Sequence, residues 1–314
     1  MGRHVAEDNP ELDRYVDEAC AEIGREIEAL EVPRLAGVVL GGGYGRGEGG
    51  VRELARLSND MDFFAITDEG ADEGSDVPRI AAALEPISRK WTEKLGIDVD
   101  FIVRTPWRIR HDERRIMIQE LLRGYFDVAG KKGEELFAAV KHYPVEDLPW
   151  GEAARLLLNR GMGLLLAKQK NSSDFIARNI NKCVLGAADA LLVARRGYKW
   201  RALDRAEAVG DELYRKALEW KFRPADNAVC DWETAREVWL DAFDKVMAAG
   251  ANDPGATGRT LFNVARWFVR RRSLGPVATL GLVPEVRVLR GVEKAIRERS
   301  GISPTLRRDW EVFN

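Results

Sequence analysis

Residues 36–48 read Ala36-Gly37-Val38-Val39-Leu40-Gly41-Gly42-Gly43-Tyr44-Gly45-Arg46-Gly47-Glu48. The apolar run 36–40, with its two valines, predicts a short buried strand. It runs straight into a loop with seven glycines among residues 41–50. Glycines in a strand-to-helix turn allow positive φ and let backbone N–H groups approach an anion closely. A plain turn accounts for such a loop equally well. No Gly-Lys-Ser/Thr follows, which excludes a Walker A loop. A dinucleotide-binding fingerprint is also disfavoured, because the acidic residue it needs after the next strand is missing.

Downstream stands Asn59-Asp60-Met61-Asp62-Phe63-Phe64-Ala65-Ile66, a strand expected over 61–66 that begins inside an aspartate pair. Residues i and i+2 of a strand face the same way, so the two carboxylates start about 7 Å apart. Paired hard oxygens suit Mg²⁺, which keeps waters and bridges to substrate phosphates. The alternative is a solvated turn, since Asn-Asp is good turn chemistry. A third strand is expected over 97–103, with Ile97, Val99, Phe101 and Val103 on one face and Asp98, Asp100 and Ile102 on the other. Carboxylates buried without a partner are costly, so that face needs either a cation or access to water.

Farther out, 10–30 and 79–95 show helical spacing, and 68–76 reads as an acidic loop. Beyond about residue 150 the pattern is helical throughout, over 153–168, 175–195, 205–220, 232–248, 259–272 and 284–299. The expected fold class is α+β. A domain at 1–148, with a small mixed sheet and flanking helices, precedes an all-α domain at 149–314. The 314 residues suit two such cores. A net charge of −2, from 49 basic and 51 acidic side chains, argues against a whole-protein grip on nucleic acid and leaves room only for a local patch. Cys20, Cys183 and Cys230 lie far apart, against a disulfide framework or a zinc site. No run of 18 apolar residues occurs, and residues 1–8 lack the apolar core of a signal peptide. A cytoplasmic protein without a membrane partner is expected.

Taken together, the glycine loop, the Asp-x-Asp pair and the later strand aspartate resemble the nucleotidyltransferase superfamily related to DNA polymerase beta. The family's loop often reads Gly-Ser-Tyr-Ala-Arg-Gly-Glu, and here stands Gly42-Gly43-Tyr44-Gly45-Arg46-Gly47-Glu48. The family's pair often reads Ser-Asp-x-Asp-hydrophobic, against Asn59-Asp60-Met61-Asp62-Phe63. Its third carboxylate follows a hydrophobic residue in a strand, which fits Val99-Asp100-Phe101-Ile102. The chain departs from the pattern in two places. Gly43 replaces the serine, and 49–58 reads as an inserted half-turn or helix end. The resemblance covers roughly residues 35–103 and stops short of the helical half.

The resemblance implies a nucleotidyltransferase in which Asp60, Asp62 and Asp100 are both catalytic and metal-binding, holding two Mg²⁺ ions that clamp the attacking and leaving oxygens. Gly42 and Gly43 would offer N–H groups to the triphosphate of an NTP, with ATP the expected donor. Arg46 and Glu48 join the expected nucleotide site. Arg46 neutralises phosphate or, alternatively, pairs with Glu48 and stiffens the loop. Asp98 competes with Asp100 for the third carboxylate. In the helical half, Lys182, four residues after Arg178, is the expected triphosphate contact, against a plain solvated helix face. The aromatic and arginine run at 262–272 suits an anion or a helix end. The expected acceptor is a small molecule. The alternatives are an RNA 3′ end, a protein, or a non-catalytic nucleotide-binding regulator.

Overall fold

The computed structural model describes residues 2–53, 56–250 and 284–311. The chain divides into two compact units. The first is Met1–Pro144 together with Lys221–Pro224; the second begins at Val145.

In the first unit, α1 (Pro10–Ala29) opens on Asn9, whose side chain accepts the N–H of Leu12. That cap satisfies one of the N–H groups a helix start leaves without a partner. Its stripe of Leu12, Val16, Ala19, Ile23 and Ile27 is buried. β1 (Leu35–Leu40), β4 (Met61–Thr67), β5 (Val99–Arg104) and β6 (Phe126–Gly130) form one sheet in the order β5-β4-β1-β6. β1 runs antiparallel to β4 and β6, whereas β4 and β5 are parallel, so the sheet is mixed. The crossover between the parallel strands is α3 (Asp76–Leu95), which ends on Gly96 in the left-handed conformation.

Strand alternation sorts the side chains onto two faces. Val38, Leu40, Phe63, Ala65, Val99 and Val103 pack with α1 and α3, including Trp91. Val39, Phe64 and Ile66 pack on the opposite face with Ile109, Ile118 and Leu121. Those last three belong to two short helices, α4 (Pro106–His111) and α5 (Ile116–Leu121). The sheet is therefore covered on both sides, which explains why β4 reads as a nearly unbroken apolar run after Asp62.

Several boundaries differ from the sequence expectation. The stretch 49–58 is not a half-turn or helix end but contains a hairpin of β2 (Gly50–Arg52) and β3 (Arg56–Ser58), paired Gly50 to Ser58. The third strand starts at Val99, so Asp98 lies just before it. β6 falls outside every expected element.

Every element of the second unit described after Trp150 is helical. α7 (Trp150–Ala167) and α8 (Ser173–Ala194) pack on each other and on α11 (Trp232–Gly250). Indole N–H groups lock this bundle: Trp150 donates to the carbonyl of Val246 at 2.7 Å, Trp239 to Leu157 at 3.0 Å and Trp232 to Leu164 at 2.9 Å. A buried indole stays affordable in a core only when its N–H finds such an acceptor. The helix expected over 205–220 is two, α9 (Ala202–Val209) and α10 (Glu212–Phe222), because Gly210 takes a left-handed conformation that ends the first. The run 259–272, with the aromatic and arginine residues of 262–272, lies outside the described residues. Among the described residues no helix is long and apolar enough to cross a membrane.

Candidate active site

β1 delivers the chain into a single helical turn, α2 (Gly42–Gly45). The N–H of Gly41 still donates to the carbonyl of Asp62 at 2.8 Å, which carries the β1–β4 pairing into the glycine loop. Gly42 then turns the chain with φ +59°, and a Cβ placed on it would lie 2.1 Å from Asp62 Oδ2. Glycine is thus required twice at this position, for its backbone angle and for the carboxylate pressed against its α-carbon. Gly43 has no such crowding: the nearest atom to a Cβ there is the carbonyl oxygen of Glu48, at 3.4 Å. The opening N–H groups of a helical turn lack intrahelical acceptors.

The loop is fastened from below. Tyr44 is wholly buried, its hydroxyl donating to the carbonyl of Ser58 at 2.6 Å and accepting from the Ser58 N–H at 3.2 Å. Burial pushes this phenol far up, and the nearby Asp60 charge adds to that. Tyr44 therefore ties the loop to the end of β3, from which the chain proceeds directly to the aspartates. Asn59 makes that turn with φ +72°, a region Asn tolerates better than most residues, and its Nδ2 donates to the carbonyl of Lys221 at 3.1 Å.

Asp62 and Asp100 are register partners across the parallel β4–β5 pair. Their α-carbons are about 4.8 Å apart, the ordinary strand spacing. By alternation both belong to the face that Phe64 and Ile102 share. Asp60 precedes β4 and acts electrostatically on both Tyr44 and Asp100. Asp98 is exposed, and its backbone carbonyl, not its carboxylate, is what the sheet uses, accepting from the N–H of Met61 at 2.8 Å. Partial desolvation first, then the charges of Asp60, Asp98 and Glu85, hold the Asp100 carboxyl above its usual pKa. Among the described residues no cation is one of the groups acting on Asp100.

Arg46 and Glu48, both expected in the nucleotide site, are paired with each other at the glycine turn. Glu48 is 1% exposed and takes Arg46 at 3.3 Å and Lys221 at 3.5 Å. Arg46 also reaches Glu120 at 3.2 Å. Glu48 is thus a buried carboxylate facing two cations, and its contact with Arg46 is the one the loop-stiffening alternative names. Lys182 lies half-buried on α8 of the second unit, and Arg178 pairs with Asp174 at 3.7 Å.

The N-terminal segment is a support that sequence reasoning missed. Val5 bridges to Gly49, the N–H of Gly49 donates to the carbonyl of His4 at 3.0 Å, and His4 Nε2 lies 2.9 Å from Asp17 Oδ1. Lys221, Glu120 and His4 lie far from the loop in sequence, and no local pattern marks them.

Among the described residues no three His, Cys, Asp or Glu side chains are grouped closely enough to hold one ion. The expected triad of Asp60, Asp62 and Asp100 is therefore not a closed ligand set as it stands. The register pair still suits Mg²⁺, which is usually bound through one or two carboxylates and completes its shell with water and phosphate oxygens. An ion there would meet the negative charge of Asp60, Asp98 and Glu85 that acts on Asp100.

No protein-family model matches the chain, and no curated protein matches it. Among solved structures it is similar to spectinomycin adenyltransferase AAD(9) from Enterococcus faecialis, determined with ATP and spectinomycin. The TM-score is 0.42 at 12% identity, covering 76% of this chain and 100% of that one. A likeness that distant decides neither fold nor function.

Proposed function

We propose that the first unit catalyses transfer of a nucleoside monophosphate from an NTP, with ATP the expected donor, to a hydroxyl of a small-molecule acceptor. The observation that carries this is the register pairing of Asp62 with Asp100, with the Asp62 carboxylate packed against the α-carbon of Gly42. Two acidic residues stand in register beside a glycine turn, an arrangement that would set a polyphosphate cradle next to a metal-binding edge.

Asp62 and Asp100 would hold Mg²⁺, which when bound supplies charge neutralisation at the phosphates and a more acidic acceptor hydroxyl. Gly42 and Gly43 present backbone N–H groups to phosphate oxygens. Asp62 holds its position because Phe63 and Phe64, buried on opposite faces of the sheet, fix the strand on either side. Asp100 would complete that metal site or take the acceptor proton. Asp60 sets the field at Asp100 and joins the metal edge. Arg46, Glu48 and Tyr44 act behind the loop, keeping its turn in one conformation.

The test is label transfer from each α-labelled NTP with Mg²⁺, in the presence of cell extract fractionated into small molecules, RNA and protein. Wild type should label the small-molecule fraction. Asp62→Asn and Asp100→Asn should each abolish labelling, and Asp98→Asn should keep most of it. Full labelling by Asp62→Asn would overturn the proposal, and label in RNA would overturn the acceptor.

A further inference from the structure

A second surface of the first unit has chemistry that nucleotide transfer does not use. It begins where β5 ends. Trp107, on the first turn of α4, is 54% exposed and stacks flat on His111, with centroids 5.2 Å apart and planes 6° apart. His111 is itself exposed, so a paired aromatic face stands on the surface with no core to fill.

Cations outnumber acids beside it, although Arg110 is held by Glu69 at 2.7 Å and Thr105 donates to Glu73. Arg108 and Arg115 share one carboxylate, the buried Asp112, at 2.9 and 3.0 Å. Glu113 is occupied by the Tyr143 hydroxyl at 2.6 Å. The exposed Arg114 and Lys141 both lie over the Tyr143 ring, at 4.7 and 4.9 Å. Burial first, and then the charge of Arg108, hold Arg104 below its usual pKa against the opposing pull of Asp112 and Glu73.

The platform is fixed rather than a chance meeting of side chains. Gln119 is fully buried and donates to the carbonyls of Glu113 and Lys141, at 2.6 and 3.0 Å. Its Oε1 accepts from the N–H of Tyr143 at 2.9 Å. One side chain thus stitches the Lys141–Tyr143 segment to the turn that carries Arg114. From Asp100 to Thr105 the strand advances roughly 16 Å, so this surface lies at the far end of β5 from the carboxylates.

We propose that Trp107, His111, Arg108, Arg114, Lys141 and Tyr143 form a docking surface for single-stranded nucleic acid, one base stacking on the exposed indole while the cations take the flanking phosphates. A base presents its π-face only when unpaired, which sets the single strand apart from a duplex. Cations on an aromatic-studded surface are the usual answer to a chain that alternates phosphate and base. The acidic balance of the whole chain confines the grip to this patch. The surface is separate from the carboxylate edge and says nothing about the acceptor.

The test is fluorescence anisotropy of fluorescein-labelled 12-nucleotide RNA and DNA single strands with the full chain at low salt. Binding should weaken as salt is raised, and whichever strand binds more tightly names the source. Loss of one stacked base is worth at least about 1 kcal/mol, so Trp107→Ala should weaken binding about fivefold or more. Trp107→Phe, which keeps a stacking ring, should retain most of it. Arg114→Ala should weaken binding and reduce the salt slope by about one. Four results would each overturn the proposal: no binding of either strand, Trp107→Ala and Arg114→Ala both binding like wild type, duplex binding as tight as the single strand, or Trp107→Ala changing only the sedimentation coefficient. The last would make the surface a contact between copies of the chain.

Discussion

Alanine in place of Gly42 forces a choice between the loop and the carboxylate. The backbone there has φ +59°, and holding a non-glycine residue in that region costs about 1–2 kcal/mol. The new Cβ would sit 2.1 Å from Asp62 Oδ2, 3.0 Å from its Cγ and 3.1 Å from its Cβ. No such contact survives, so either the Asp62 carboxylate swings away or the turn opens. A carboxylate that swings relieves the clash and leaves the backbone cost alone. One that is held adds about 1–3 kcal/mol of overpacking. Either the acid or the turn is then out of position, and a misplacement of about 1 Å can cost about a hundredfold in rate. Urea unfolding followed by circular dichroism measures the first effect, and label transfer from α-labelled ATP measures the second. A double-mutant cycle isolates the carboxylate clash: in an Asp62→Ala background the Oδ2 and Cγ atoms are gone, and Gly42→Ala should cost the backbone part and whatever the remaining 3.1 Å contact with the Cβ of residue 62 adds. Gly43→Ala, with an uncrowded site and ordinary φ, should change stability by no more than about 0.5 kcal/mol. A Gly42→Ala protein as stable and active as wild type, or a Gly43→Ala protein less stable than Gly42→Ala, would refute the assignment.

Two further outcomes follow from the same site. The folded-state pKa of Asp100 is raised above its usual 3.8, so in the window from that value up through the raised one the folded chain binds more proton than the unfolded chain. Stability should therefore fall as pH rises through that window, and Asp100→Asn should flatten this part of the melting-temperature profile while raising the melting temperature at neutral pH without divalent cation. A lower melting temperature for Asp100→Asn would contradict the charge crowding. Tyr44→Phe leaves the buried Ser58 N–H and carbonyl without their hydroxyl partner and should cost about 1–3 kcal/mol; an unshifted urea midpoint would show that the tie does not matter.

The parts legible from sequence are those that local periodicity encodes. Met61 to Ile66 announce β4 by apolar density, and Asp62 and Asp100 stand out because a carboxylate beside buried phenylalanines needs a reason. Their direct pairing depends on strand register, which needs the α3 crossover as well as the local pattern. β2 and β3 have three residues each, too short for alternation to show, so the hairpin between loop and aspartates read as a turn. The places of Arg46 and Glu48 were undecidable locally because their partners Glu120 and Lys221 are distant in the chain. Gly210 is the one local signal of the break between α9 and α10, since a glycine after Val209 is a good C-cap.

The assignment of Lys221–Pro224 to the first unit bears on how this chain can be cut. Expressing residues 1–148 alone would remove one of the two cations on Glu48 and the acceptor of the Asn59 amide, both directly behind the loop and the aspartates. The glycine turn would then rest on a buried acid held by Arg46 alone among these two. The amino-terminal half is not a portable cassette. Its fold is completed by a segment at the end of α10, so the carboxylate edge cannot be finished on the ribosome before α7 to α10 have emerged.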